Sequence, residues 1–326
     1  MKTTIKKKYL IFAAAALTLA ACSNDDENLN GGPVELRLSS SLEVQTRAYQ
    51  VQNEQLARGE TVYVWADEQD GETDYIKAWE LMAVGNGSFQ EPATKQYFPQ
   101  SGKGLSLYAI HGDFGASAFT ENATPFPTAS LTHTVSDNQS IDANVAKSDL
   151  LYAVAPNVSR NGNPTVVPLT FRHLLAKVEV ALKPGDGLSV EDIQNAVVTI
   201  ENTRLKTDFT PDKTSAAANG MISLTETDNE AESITISTAV SSDATAWSEA
   251  IIVPQTLEAN TQFIKVHLFD GGDLYYTLDE SCTFASGNKY TYKITVNLTG
   301  LQVSSNIEPW GKDAVFSGDE DGQATM

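Results

Sequence analysis

The chain has 326 residues, with 22 basic against 42 acidic side chains and a formal net charge of −20. A surface of that sign repels phosphate backbones, which argues against nucleic acid as a partner and against docking to anionic lipid through a basic patch. The cysteines are two, Cys22 and Cys282.

The first segment reads as a targeting signal. Lys2, Lys6, Lys7 and Lys8 make a basic start, followed by an uncharged, mostly apolar stretch over residues 9–19. That stretch is shorter than the ~20 apolar residues needed to span a hydrocarbon core, and it ends in small residues as a signal peptide does. Leu19-Ala20-Ala21-Cys22 matches the bacterial lipobox, so residues 1–21 are expected to be removed and Cys22 to carry a diacylglyceryl group. This places the chain in the envelope of a Gram-negative cell, tethered to the outer membrane by lipid. The acidic run Ser23-Asn24-Asp25-Asp26-Glu27 reads as a solvated tether, and also as the kind of acidic signal that directs lipoproteins to the outer surface. Without the leader the net charge is −24. With Cys22 acylated, Cys282 has no disulfide partner in the chain, so packing alone must hold the fold. Cys282 borders a strand-like run and is expected to be a buried structural thiol.

Beyond the leader, period-two patterns dominate. Val34, Leu36, Leu38, Leu42 and Val44 share one face of an extended strand over residues 33–44, with only Ser40 interrupting it. Glu35, Arg37, Ser39, Ser41 and Glu43 occupy the other face. Strands are predicted over 61–65, 105–110, 150–154, 166–171, 176–182, 196–200, 234–236 and 250–253. Residues 263–269 and 274–278 form a predicted hairpin across Asp270-Gly271-Gly272-Asp273. The last clear strand alternates Tyr290, Tyr292, Ile294, Val296 and Leu298 with polar residues. Turn signals recur at Gly85-Asn86-Gly87, 160–164, 184–187 and 286–288. Helix signals are few: Ser189 with Asp192 predicts a cap on one short turn. Many short strands with regular turns imply an all-β protein of two β-sandwich domains, over residues 48–171 and 172–326.

Motifs for chemistry are sparse. His111, His133, His173 and His267 have no metal-ligand spacing, and no CxxC, GxSxG, P-loop or GxGxxG occurs. No cofactor, metal or enzymatic activity is expected. His173 is expected to pack or cap. The Asp270–Asp273 cluster is compatible with calcium binding but is explained by turn chemistry. Trp65, Trp79, Trp247 and Trp310 are expected mostly in the core, with Trp79 and Trp247 the candidates for an exposed glycan-stacking surface.

Thr46-Arg47-Ala48 directly follows the first strand. An arginine followed by a small residue outside any strand pattern is compatible with a trypsin-like cleavage point and with a plain connection. Taken with the lipobox, it opens a series that runs nearly the length of the chain: Asp149-Leu150-Leu151-Tyr152-Ala153, residues 169–180 (LTFRHLLAKVEV), Val253-Pro254-Gln255, residues 284–292 (FASGNKYTY) and Ile307-Glu308-Pro309-Trp310. In that order these segments resemble the fimbrillins, subunits of the lipoprotein-derived type V pilus. The resemblance implies two transthyretin-like β-sandwiches in tandem and cleavage between Arg47 and Ala48 by an arginine-specific protease. Residues 22–47 would leave with the lipid anchor, and assembly with other fimbrial subunits would follow by donor-strand exchange. Removing the first strand would strip Val34, Leu36, Leu38, Leu42 and Val44 from a sandwich face and open a sheet edge that recruits another strand. The candidate donor is the C-terminal region, with Leu301, Val303, Ile307, Val315 and Phe316, although it alternates less regularly than residues 33–44. The competing expectation is a surface lipoprotein that stays anchored through Cys22 and binds a glycan or host protein.

Overall fold

The computed structural model describes residues 32–43, 55–116, 118–160, 166–240, 245–269, 271–310 and 321–323. Cys22, Val44, Arg47, Ala48, Val315 and Phe316 lie outside them. The described residues from Pro33 onward belong to one compact unit.

The elements in chain order are β1 (Leu38–Leu42), β2 (Thr61–Glu68), β3 (Ile76–Met82), β4 (Leu105–His111), β5 (Leu131–Thr134), β6 (Asn138–Gln139), α1 (Asp142–Ser148), β7 (Leu151–Val158) and β8 (Val167–His173). There follow β9 (Ala176–Pro184), α2 (Val190–Gln194), β10 (Val197–Arg204), β11 (Lys206–Phe209), β12 (Ile222–Leu224), β13 (Ala231–Ile236), β14 (Thr238–Val240), β15 (Ala246–Ile252) and β16 (Gln255–Leu257). The chain ends with β17 (Gln262–Leu268), β18 (Gly272–Thr277), β19 (Cys282–Phe284), β20 (Asn288–Asn297), β21 (Gly300–Pro309) and β22 (Asp321–Gln323). The all-β expectation holds, and nearly every predicted strand is present.

The N-terminal half builds a sheet in the order β1-β8-β7-β4-β2-β3. Its alternation is strict enough to fill both faces. Val62, Val64, Leu107, Ala109, Leu169 and Phe171 point into one core, while Trp65, Tyr108, Ile110 and Tyr152 point from the other face into a second, larger core. β3 escaped the pattern reading for a physical reason. Ala78 has φ 38°, the register to β2 shifts between Val64 and Ala66, and Ala78 and Trp79 are consecutive buried residues. A bulge of this kind destroys period two.

The C-terminal half packs a sheet ordered β14-β15-β9-β20-β21-β22 against one ordered β18-β17-β10-β13-β6. Val178, Val180 and Leu182 of β9, with Tyr292 and Ile294 of β20, meet Ile200, Val266 and Ile264 in the larger core. The predicted hairpin is β17–β18, and Ser189 caps α2 with a reciprocal Asp192 box. The chain passes from the first sheet to the C-terminal sheets between His173 and Ala176. Two short strands cross that division: β5 pairs with β11 and β6 with β13.

The outer face of β9 and β20 carries a buried ionic network. Lys177 lies 2.7 Å from Glu249 and 3.5 Å from Glu179, and Lys289 lies 3.5 Å from Glu179 and 2.6 Å from Glu308. Lys177 and Glu179 are 2% and 1% exposed, so the charges are compensated by one another and not by water. The network reaches from β15 to β21.

Candidate functional site: the seam closed by the N-terminal strand

Residues 33–43 are built into the first sheet. β1 runs parallel to β8, in register from Leu38 opposite Val167 to Leu42 opposite Phe171. Val167 N–H donates to Arg37 O and Glu43 N–H to Phe171 O, both at 2.8 Å. On the other side, Ser40 N–H donates to Gly87 O and Leu36 N–H to Gln96 O, both at 2.8 Å, and Phe98 N–H donates to Val34 O at 2.9 Å. Segment 83–90 is joined in turn to β3, through the Ala83–Phe89 bridge and the bond from Gln90 N–H to Met82 O. The strand therefore closes the seam between the two ends of a curled sheet. Without it, β8 and segment 86–98 would each face water with unpaired backbone groups.

The alternation expected for this strand is present. Leu36 and Leu38 are 2% and 8% exposed, Leu42 is half-buried, and Val34 at the start is 38% exposed. Ser40 occupies the same face and is buried. The bed beneath them includes Val167, Leu169, Phe171, Phe98 and Leu56. At ~25 cal/mol per Å2, the two buried leucines contribute roughly 1.5–3 kcal/mol each. The outward face carries exposed polar pairs: Arg37 to Glu35 at 3.0 Å, Lys95 to Glu35 at 3.1 Å and Arg172 to Glu43 at 3.2 Å. Such pairs contribute little.

Segment 86–98, the second bank of the seam, was legible only as the turn signal Gly85-Asn86-Gly87. Gly87 has φ +79°, and a Cβ there would lie 3.0 Å from Ser40 O. The position requires glycine both for its backbone and for the close approach to β1.

Of the candidate donor residues, Leu301, Val303 and Ile307 lie on β21. That strand pairs with β20 over ten residues and with β22 at Gln302–Ser304, in both cases antiparallel. Leu301 and Val303 are 4% and 5% exposed in the chain's own larger core, and Ile307 is 58% exposed. Past β21, Trp310 stacks on His173 with ring centroids 3.9 Å apart, and His173 Nδ1 lies 2.7 Å from Asp149 Oδ2. His173 is thus packed, as expected.

Other predicted features are corrected. Trp79 is 2% exposed and donates from Nε1 to Thr94 O, so it is core and no stacking platform, whereas Trp247 keeps a half-buried position. For Trp79 the neighbouring Glu80 lies on the other, more exposed face of β3. Cys282 is half-buried at the start of β19, not fully buried, and burial holds its thiol pKa above the usual value. Asp273 pairs with His267 at 2.6 Å across the β17–β18 hairpin. Sequence reasoning missed Glu60, just before β2. Burial, with His111 opposing and Asp149 adding to the effect, pushes its carboxyl up to about 7, while its Oε2 accepts from Ala57 N–H at 2.7 Å. Burial also pushes His133 down to about 4, with Nε2 3.0 Å from Ser148 O. No group of three or more metal-ligating side chains occurs among the described residues.

Residues 46–310 match the family model described as fimbrillin-like. A candidate fimbrium subunit of Bacteroides uniformis, Fim1C, is 26% identical over 326 residues, covering 94% of this chain and 96% of the relative. Among solved structures, a candidate cell adhesion protein of Bacteroides ovatus superposes with a TM-score of 0.62 at 17% identity, covering 86% of this chain and 99% of that one. A second, from Bacteroides uniformis, gives 0.59 at 21% identity, with 86% and 100% covered. At these identities the two structures support the fold alone.

Proposed function

The chain belongs to the fimbrillin-like family, and from that membership we propose that it is a structural subunit of a cell-surface pilus whose N-terminal strand is provisional. In this reading the chain is exported as a lipoprotein through Cys22 and cleaved after Arg47. It then loses residues 22–47 and accepts a β-segment from another subunit in the vacated seam. The halves act as tandem sandwiches, the first supplying the seam. The resulting pilus supports adhesion, and no catalysis is assigned.

The observation that carries this reading is the double-sided hydrogen bonding of residues 33–43. A short strand held by β8 on one side and by segment 86–98 on the other is the part whose removal leaves a strand-shaped vacancy. The family match begins at residue 46, beside Arg47 and beyond β1, which agrees with a strand separable from the rest. Acceptance is better supported than donation. β21 would have to leave a ten-residue ladder and a buried core before it could serve another molecule. We therefore favour a terminal or accessory position over a repeating stalk position.

The test is N-terminal analysis of surface material together with a search for SDS-resistant complexes. The proposal expects Ala48 as the mature N-terminus and ladders that disappear in an Arg47→Ala variant. An acylated Cys22 terminus with no ladder would instead identify a permanently anchored lipoprotein that binds a glycan or host protein.

A further inference from the structure

Position 40 is the one place among the inward-facing residues 36, 38, 40 and 42 that is not aliphatic. Ser40 is 5% exposed and stands opposite Leu169, which is wholly buried. Its backbone N–H is satisfied by Gly87 O, but its Oγ has no hydrogen-bond partner among the described residues. The contrast with the outward face is direct: there Ser41 Oγ and Thr170 Oγ1 lie 3.3 Å apart and serve each other. A hydroxyl taken from water without a partner opposes burial, whereas a methyl in the same place favours it. Local opening of residues 36–43 returns that hydroxyl to water. The group thus biases the whole strand toward release.

Resting on the strand-exchange reading above, we propose that Ser40 is the release point of the N-terminal strand, and that the seam selects an incoming β-segment with an aliphatic side chain at the register of Ser40. The exchange is then downhill at one defined position: a hydroxyl leaves and a hydrocarbon enters against Leu169. This rule also ranks the partners. Laid in the same direction, Leu301, Val303, Ser305 and Ile307 of β21 repeat the spacing of Leu36, Leu38, Ser40 and Leu42. A second copy's β21 would bring Ser305 to the same place and gain nothing there. A segment from a different protein, with valine, isoleucine or leucine at that register, gains. In that register the favoured partner is a heterologous subunit that presents an aliphatic side chain opposite Leu169, and not the β21 of another copy.

The experiment compares Ser40→Val with Ser40→Thr in the full chain. The two side chains have nearly the same shape and differ in a methyl against a hydroxyl, so packing strain is shared. Amide hydrogen exchange over residues 36–43 is expected to be about tenfold slower in the valine variant than in the threonine variant, with β20 amides equal in both. Equal protection, or better protection with threonine, overturns the release-point assignment. Labelled synthetic peptides of residues 33–46, with serine or valine at position 40, are then offered to the full chain cut after Arg47. The valine peptide is expected to be retained about tenfold longer, and a peptide of residues 299–309 no longer than the serine peptide. Equal retention overturns the selectivity. A cut chain that releases no fragment and takes up no peptide would remove strand exchange as the function, while the valine–threonine contrast in amide exchange would still decide the role of Ser40.

Discussion

β1 and β21 are both alternating strands near an end of the chain, and they are held in different ways. β1 spans five residues, pairs in parallel with β8, and is closed on its other side only by scattered bonds to segment 86–98. The flanking charges Arg37 and Glu43 are exposed, and its inward face contains a hydroxyl without a partner among the described residues. β21 spans ten residues in an antiparallel ladder, buries Leu301 and Val303, and contributes Glu308 to a network of buried charges. The difference teaches that sequence alternation marks a strand but does not say how firmly it is held. Firmness depends on ladder length, partner direction and the fate of each polar atom.

The strongest way to break this comparison is to remove the charge that ties β21 to its neighbours. Lys289 sits between Glu179 and Glu308, at 3.5 and 2.6 Å. Lys289→Met keeps much of the volume but leaves carboxylates buried without it. A loss of about 3–5 kcal/mol is expected, measured as a shift of the denaturant midpoint, because breaking a buried pair leaves an uncompensated charge. A loss below about 1 kcal/mol would mean that water reaches the network, and that β21 is no more firmly held than β1.

β1 is held chiefly by apolar burial. Leu36→Ala is expected to cost about 3 kcal/mol of strand docking. It should appear as roughly hundredfold faster amide exchange over residues 36–43 while the amides of β20 keep their protection. If β20 loosened equally, the two strands would belong to one cooperative unit and β1 could not leave alone.

Most of the architecture was readable because it follows from period two. The strands around Val64, Leu107, Val180 and Tyr292 alternate cleanly, and their faces fill the two cores. What could not be read depends on contacts distant in sequence. Residues 86–98 form one bank of the seam because the sheet curls, and Gly87 reveals this only through its approach to Ser40 O. β3 was hidden by its bulge at Ala78. α1 has no side-chain cap at Ile141 to announce it. The strand 33–44 was recognised as a candidate site from alternation and the adjoining Arg47, but the missing partner of Ser40 Oγ is a property of three-dimensional packing. The candidate donor residues on β21 were chosen for the same alternation, which cannot tell a spare strand from a committed one.

The curled sheet also holds a charge that sharpens the comparison through pH. Glu60 titrates at about 7 in the folded chain, against an ordinary value of 4.5, so the folded state retains its proton where the unfolded state has lost it. Stability contributed by this group is present below pH 4.5 and is lost as pH rises to about 7. His133, pushed down to about 4 from 6.5, runs the other way: its contribution is present above pH 6.5 and lost as pH falls toward 4. Between pH 4.5 and 6.5 the two slopes oppose each other. Glu60→Gln should therefore gain on the parent as pH rises from 4.5 to 7, by about 2–3 kcal/mol, in denaturant titrations across that range. A pH-independent difference would show that Glu60 is solvated in the folded chain.

The smallest effect tests the outward face of β1. Glu43 and Arg172 meet at 3.2 Å with side chains 52% and 47% exposed, and they join β1 to β8 beyond the last inward residue, Leu42. Solvent screens such a pair, and holding two long side chains together offsets much of the Coulomb gain. Glu43→Gln is thus expected to change the docking of residues 36–43 by less than about 1 kcal/mol, and raising the salt concentration should shrink even that difference. The measurement is the same amide exchange used for Leu36→Ala, which places both substitutions on one scale. If Glu43→Gln released the strand as readily as Leu36→Ala, the seam would be fastened by its charges and not by its core. Exchange would then be governed by ionic strength, and the character of the side chain at position 40 would be immaterial.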